Sequence, residues 1–119
     1  MLLFMVITSV KAQLAEVAQP DSFQLDSIIQ LIDEPKEPRF INIVDKEEIK
    51  IYLYHPDRID MQKPHTKDEY YFVATGSGKY FYDGRTIDFK QGDLLFAEAG
   101  KDHKFVDFTS DLFVWVIFY

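Results

Sequence analysis

The chain has 119 residues, no cysteine and a formal net charge of −7. That length suits one domain with one core. The missing thiols exclude a disulfide framework, a thiolate metal site and a cysteine nucleophile. An acidic balance without any Lys/Arg cluster argues against a nucleic-acid partner.

The first element is an apolar run from Leu2 to Val10. It is too short to cross a bilayer as a helix, so no stable membrane span is expected. It resembles the hydrophobic region of a secretory signal, with Val10-Lys11-Ala12 as a cleavage site, and on that reading the protein is exported to the periplasm or the medium. The basic start of such a signal is missing, and Lys11 stands where a small residue would be better. The alternative is an extra strand or an amphipathic helix on Val6, Val10, Leu14 and Val17, which leaves the protein cytoplasmic. Residues 1–20 are therefore read as an N-terminal extension. Next, Phe23, Leu25, Ile28, Ile29 and Ile32 place an apolar stripe on a short helix, with Asp21 or Ser22 as its cap. Pro35 and Pro38 end it, so residues 21–38 read as helix and linker.

From Arg39 onward the pattern is of short strands, and 39–119 reads as one β domain. Phe40–Val44, Ile49–Tyr54, Tyr70–Thr75, Lys79–Tyr82, Thr86–Phe89, Leu94–Ala97, Lys104–Phe108 and Leu112–Phe118 are the expected strands. The abundance of aromatic residues (eleven Phe, seven Tyr, one Trp) favours pleated, half-buried surfaces. Gly76-Ser77-Gly78 and Asp83-Gly84 are expected to close hairpins, the second as a type I′ loop. So many short strands predict a sandwich or barrel. In the last strand Leu112, Val114, Val116 and Phe118 alternate with Phe113, Trp115, Ile117 and Tyr119, so both faces are apolar. Either the N-terminal helix or a second subunit is expected over the outer face, the latter giving a homodimer.

The chemistry lies between His65 and His103. Two imidazoles and the Glu69 carboxylate, on different strand-like segments punctuated by glycines, can hold one divalent metal and leave coordination positions open. In a straight strand His65 and Glu69 would stand ~13 Å apart at ~3.3 Å per residue, so Thr66-Lys67-Asp68 must turn. Pro64 and the run Tyr70-Tyr71-Phe72-Val73 disfavour a helix there. The expectation is a tight loop presenting His65, with Glu69 at the mouth of the next strand pointing inward. Alternation then turns Tyr71 and Val73 inward too, and His103 closes the site from a neighbouring strand.

The segment Gln62-Lys63-Pro64-His65-Thr66-Lys67-Asp68-Glu69-Tyr70-Tyr71-Phe72-Val73-Ala74-Thr75-Gly76-Ser77-Gly78 resembles the first motif of the cupin family. Gly92-Asp93-Leu94-Leu95-Phe96-Ala97-Glu98-Ala99-Gly100-Lys101-Asp102-His103 resembles the second. The stretch between them and the ending from Phe105 to Tyr119 also resemble small single-domain cupins, so the resemblance covers roughly residues 40 to 119, and the joint spacing is far more specific than either half. The resemblance implies an all-β fold, an antiparallel jelly-roll barrel (a double-stranded β-helix) with a metal near its centre, commonly in a dimer. Two departures stand out. Lys63 occupies the place of a histidine the family usually has, and an ammonium is no ligand, so Gln62 or water is left to complete the set. Glu98 replaces a proline before Gly100.

The expected ligands are His65, Glu69 and His103, with Gln62 as a possible fourth, around Mn, Fe, Ni or Zn. Lys63 or Tyr71 would serve as proton donor or anion anchor, although Lys63 can equally pair with Asp60 or Glu69 at the surface. His55, before Pro56, reads as a solvated loop histidine, and Tyr52, Tyr54, Tyr71 and Tyr80 as core aromatics with bonded hydroxyls. The functional expectation is a small metalloenzyme acting on a polar or carboxylated metabolite by isomerase, lyase or dioxygenase chemistry. The alternatives are a non-catalytic module binding a small ligand in the barrel, and a structural dimer whose metal only pins two strands.

Overall fold

A computed structural model describes residues 22–32, 39–58, 60 and 64–119. Two units divide the chain, with the boundary between residues 33 and 34. The described part of the first holds one helix, α1 (Leu25–Ile29), which buries Ile28. Its cap position is Gln24, in extended conformation and with no side-chain bond, where Asp21 or Ser22 was expected. The N–H groups of Leu31 and Ile32 donate to the Ile28 and Ile29 carbonyls (2.9 and 3.1 Å). This three-residue spacing tightens the last turn, so the helix has closed before either proline is reached. The apolar run Leu2–Val10, the cleavage site at 10–12, Asp21, Pro35 and Pro38 lie outside the described residues. Among the described residues no helix is long and apolar enough to cross a membrane.

The described residues of the second unit hold eight strands: β1 (Phe40–Asp45), β2 (Lys50–Tyr54), β3 (Glu69–Thr75), β4 (Ser77–Tyr82), β5 (Arg85–Lys90), β6 (Leu94–Ala97), β7 (His103–Val106) and β8 (Phe113–Phe118). Each expected strand is present within two residues of its expected bounds. Five form one sheet in the order β1-β2-β8-β3-β6, and three form the other in the order β5-β4-β7. Every pairing is antiparallel. Alternation decides which side chains meet between the sheets. Tyr71, Val73, Leu95, Ala97, Val114 and Val116 come from the larger sheet, and Tyr80, Phe89 and Phe105 from the smaller. One core shared by two antiparallel sheets in this order is the jelly-roll architecture.

The two glycine turns differ in kind. Asp83 and Gly84, with φ of 46° and 84°, join β4 to β5 in a two-residue hairpin, as the type I′ reading requires. Gly76 does not close a hairpin, because β3 and β4 belong to different sheets. It is the corner at which the chain leaves the larger sheet for the smaller. Three hydrogen bonds tie that corner to the β7–β8 loop. The Thr109 N–H donates to the Ser77 carbonyl (2.9 Å), the Ser77 N–H to Thr109 Oγ1 (3.0 Å) and the Thr75 hydroxyl to the Asp111 carbonyl (2.6 Å).

Candidate metal centre

Three segments bring the site together. Residues 64–68 form the bent loop that the His65–Glu69 spacing demands, and Glu69 opens β3 facing the core. His103 opens β7, which belongs to the smaller sheet, so it reaches the site from the opposing sheet and not from a neighbouring strand. The loops carrying the two histidines are laced to each other. The Gly100 N–H donates to the His65 carbonyl (2.8 Å), and the Ala99 N–H donates to Asp68 Oδ1 (2.8 Å). Asp68 therefore positions the site, a role its place beside Glu69 in the sequence did not reveal.

The ligand-capable atoms of His65, Glu69 and His103 all lie within 4.8 Å of one another. His103 Nδ1 stands 2.9 Å from the Lys101 carbonyl. A carbonyl only accepts, so Nδ1 carries the proton and Nε2 of the neutral ring is a bare lone pair. That Nε2 is 2.7 Å from Glu69 Oε1, close enough for the carboxylate to attract a proton there. His65 Nε2 lies 3.5 Å from the same oxygen. Tyr71, two residues past Glu69 on the same face of β3, donates its hydroxyl to Oε1 at 2.7 Å. Among the described residues, three buried side-chain atoms are left without a hydrogen-bond partner: His65 Nε2, Glu69 Oε2 and His103 Nε2.

Leaving buried polar atoms unpaired costs about 1–3 kcal/mol each, more where a charge is involved. Two imidazole nitrogens and a carboxylate oxygen orphaned together offer the donor set of a 2-His-1-carboxylate metal site. A divalent cation fits them by chemistry and by spacing, and among the described residues this is the one such group of three. Side-chain exposure is 35% for His65, 0% for Glu69 and 1% for His103, so the group opens toward His65. Phe118 stands edge-on to the His65 ring with centroids 5.2 Å apart, giving the opening an apolar wall.

Electrostatics follow from burial. Burial lowers the His103 pKa, but the Glu69 carboxylate and the Lys101 carbonyl outweigh it and raise the pKa above the usual 6.5. Burial first, and then the Glu69 charge, push the Tyr71 phenol well above 10, so it remains a donor at neutral pH. Burial, Glu69 and neighbouring groups raise Tyr80 likewise.

A family model described as the cupin domain matches residues 50–118. The chain belongs to the cupin family. The uncharacterized protein SCO3923 of Streptomyces coelicolor is 29% identical to this cupin over 99 residues, which are 82% of this chain and 93% of that one. Two solved structures show the same fold. KdgF from a Halomonas species has a TM-score of 0.62 at 18% identity, with 67% of this chain and 76% of KdgF covered. A cupin superfamily protein from Desulfitobacterium hafniense has a TM-score of 0.60 at 18% identity, with 86% and 93% covered. At those identities the structural likeness speaks for the fold alone.

Other expected residues divide. Gln62 and Lys63, the possible fourth ligand and the departure from the family pattern, lie outside the described residues. Glu98 is exposed at the rim. The hydroxyls of Tyr54, Tyr71 and Tyr80 donate to Asp60, Glu69 and the Phe96 carbonyl, as core tyrosines should. His55 is not solvated. It is buried, stacks on Phe113 at 3.9 Å and 9°, and places Nδ1 2.7 Å from the Leu112 carbonyl. Asp60 is not a surface partner either. It is buried, and its two oxygens accept the Tyr54 hydroxyl and the Phe105 N–H, both at 2.8 Å. Because Phe105 follows His103 by two residues on β7, Asp60 fixes the strand that carries a candidate ligand.

Proposed function

We propose that this cupin is a metal-dependent enzyme acting on a small polar or carboxylated metabolite, by isomerase, lyase or dioxygenase chemistry. The observation that carries the reading is the convergence of three orphaned, buried donor atoms at the partly open end of the core. His65 Nε2, His103 Nε2 and Glu69 would hold the ion. Bound there, a divalent ion (Mn, Fe, Ni or Zn) would supply Lewis acidity to substrate oxygens. The chain's own residues do the rest. The Lys101 carbonyl fixes the His103 tautomer, and Asp68 holds the two ligand loops together. The Phe118 wall and the buried aromatics beneath Glu69 limit water at the site. A second copy of the chain is proposed as its partner in solution, meeting the outer face of the larger sheet.

Elemental analysis of untagged protein should find close to one metal per chain. With free metal about a hundredfold above Kd, binding should add about 2.7 kcal/mol of stability by mass action. His103→Ala should lose both the metal and that increment. A metal-free wild type whose His103→Ala variant is equally stable would defeat this reading and leave a barrel that binds a small ligand without metal. Exchangeable water on the bound ion separates an enzyme from a structural pin. A closed, inert coordination sphere would rule out catalysis.

A further inference from the structure

We propose that Arg85 is the carboxylate anchor for the substrate, so that this cupin selects small acids reaching from the ion to the open edge of β5. The proposal rests on the metal-dependent reading and narrows its substrate class. Tyr71 is not that anchor, because its hydroxyl donates to Glu69 at 2.7 Å. Strand register places Arg85. It pairs with Tyr82, and Tyr82 pairs with His103, so the three form one row across the smaller sheet. Alternation turns that row toward the core, since Phe89 and Phe105 share faces with Arg85 and His103 and are buried. At ~4.8 Å between strands, the backbones of Arg85 and His103 stand ~10 Å apart.

Burial falls along the row, from buried His103 through half-buried Tyr82 to exposed Arg85. Ile87, two residues on from Arg85, is 38% exposed although it shares the inner face with Phe89, which is buried. Because β5 is an edge strand, the space between the sheets is open beside Arg85 and Ile87 and closed at Phe89. The loop of residues 98–102 ties this opening to the ligands. Its Gly100 N–H donates to the His65 carbonyl, and its Asp102 carbonyl accepts the Asp83 N–H at 2.9 Å. His65 and the hairpin that carries Arg85 therefore share one end of the fold.

Charge selects the ligand class. Of the three cations on β4 and β5, Lys79 meets Asp88 at 2.8 Å and Lys90 meets Asp93 at 3.6 Å. Asp83, the carboxylate nearest Arg85 in sequence, faces Lys101 instead, at 3.6 Å. Among the described residues no carboxylate pairs with Arg85, and its Cζ lies 6.0 Å from the centre of the Tyr82 ring. A ring contact does not consume the guanidinium N–H donors, whose fork matches a carboxylate. Between the two ends, Tyr82 and Ile87 offer an apolar wall to a short carbon chain.

The test loads the protein with Mn(II) and titrates it with 2-hydroxy acids, following loss of metal-bound water by water-proton relaxation. Malate, 2-hydroxyglutarate and 2-hydroxyadipate are each compared with the monoacid of the same length: 2-hydroxybutyrate, 2-hydroxyvalerate and 2-hydroxyhexanoate. At one length at least, the diacid should bind wild type about tenfold more tightly than its monoacid. Arg85→Gln should abolish that gain and leave the monoacid within about twofold. Arg85→Lys, which keeps the charge without the fork, should retain part of the gain. The site is exposed, so these substitutions leave folding intact, and circular dichroism checks it. Metal-loaded wild type with no diacid preference at any length, or a preference that survives Arg85→Gln, would overturn the anchor and leave the metal centre standing. A wild type that takes up no Mn(II), Fe(II), Ni(II) or Zn(II) would remove both.

Discussion

His103 carries a pH signature whose sign depends on whether metal is bound. Its folded pKa is raised above 6.5, against burial, by the Glu69 carboxylate and the Lys101 carbonyl. In metal-free protein a raised folded pKa means stability that is fully present below the unfolded value and lost as pH rises through the folded one. Acidification through the folded pKa toward the unfolded 6.5 should therefore raise the melting temperature of chelator-treated protein. Metal-loaded protein should move the opposite way, since a proton on Nε2 displaces the ion. Apparent affinity should fall about tenfold per pH unit once below the His103 pKa. His103→Gln is the control that isolates the effect from other titrating groups. Equal pH slopes in the wild type and this variant, both metal-free, would show that His103 does not titrate as described.

At the scale of elements, Gly76 and Gly84 allow a clean comparison. Both sit at positive φ, 91° and 84°, so a side chain is strained about equally at either. They differ in what surrounds them. A Cβ on Gly76 would lie 2.7 Å from the Leu112 Cα and 2.8 Å from Thr109 Oγ1, whereas one on Gly84 meets nothing within 4 Å. Gly84→Ala should cost only the left-handed conformation, about 1–2 kcal/mol. Gly76→Ala should cost that and about 1–3 kcal/mol more, because backbone must shift where β3 passes between the sheets. Chemical denaturation of the two variants measures the difference, and equal losses would show that the corner is not tightly packed. The same pair shows what the sequence made legible. Strand existence and bounds were readable because alternation is local, and the His65, Glu69 and His103 set was readable because its spacing is shared with the cupin family. The sheet each strand joins was not. Gly-Ser-Gly between two strands reads the same whether the chain turns back or crosses over, and that choice is made by Thr109, Asp111 and Leu112, more than thirty residues on. His55 and Asp60 were misplaced for a related reason: they lie between strands, where no periodicity reports which side chains are buried. The Tyr71–Glu69 hydrogen bond was half visible, since alternation turned the ring inward but could not place its hydroxyl on Glu69.

For the whole molecule, the outer face of the larger sheet is uneven. Toward β1 and β2, the outward-facing partners Ile41 and Leu53 are buried. Toward the other edge, Phe72 on β3 and Leu94 on β6 are direct cross-strand partners that remain 42% and 62% exposed. Trp115 on β8, the other neighbour of Phe72, is half-buried and extends the same row. Large side chains paired across an edge strand are the surface a two-fold dimer buries, each copy offering the same patch. A second copy suits this patch because the net charge of −7 repels copies elsewhere, so association needs an apolar contact to offset it. The protein should therefore sediment as a dimer at micromolar concentration. Phe72→Glu combined with Leu94→Glu should convert it to a monomer, by placing four carboxylates at the two-fold contact. The candidate metal ligand Glu69 faces the core on the other side of β3, so any metal uptake per chain should be unchanged in that variant. A wild type that sediments as a monomer across the concentration range would refute the dimer. A double variant that remains dimeric would move the interface to another face.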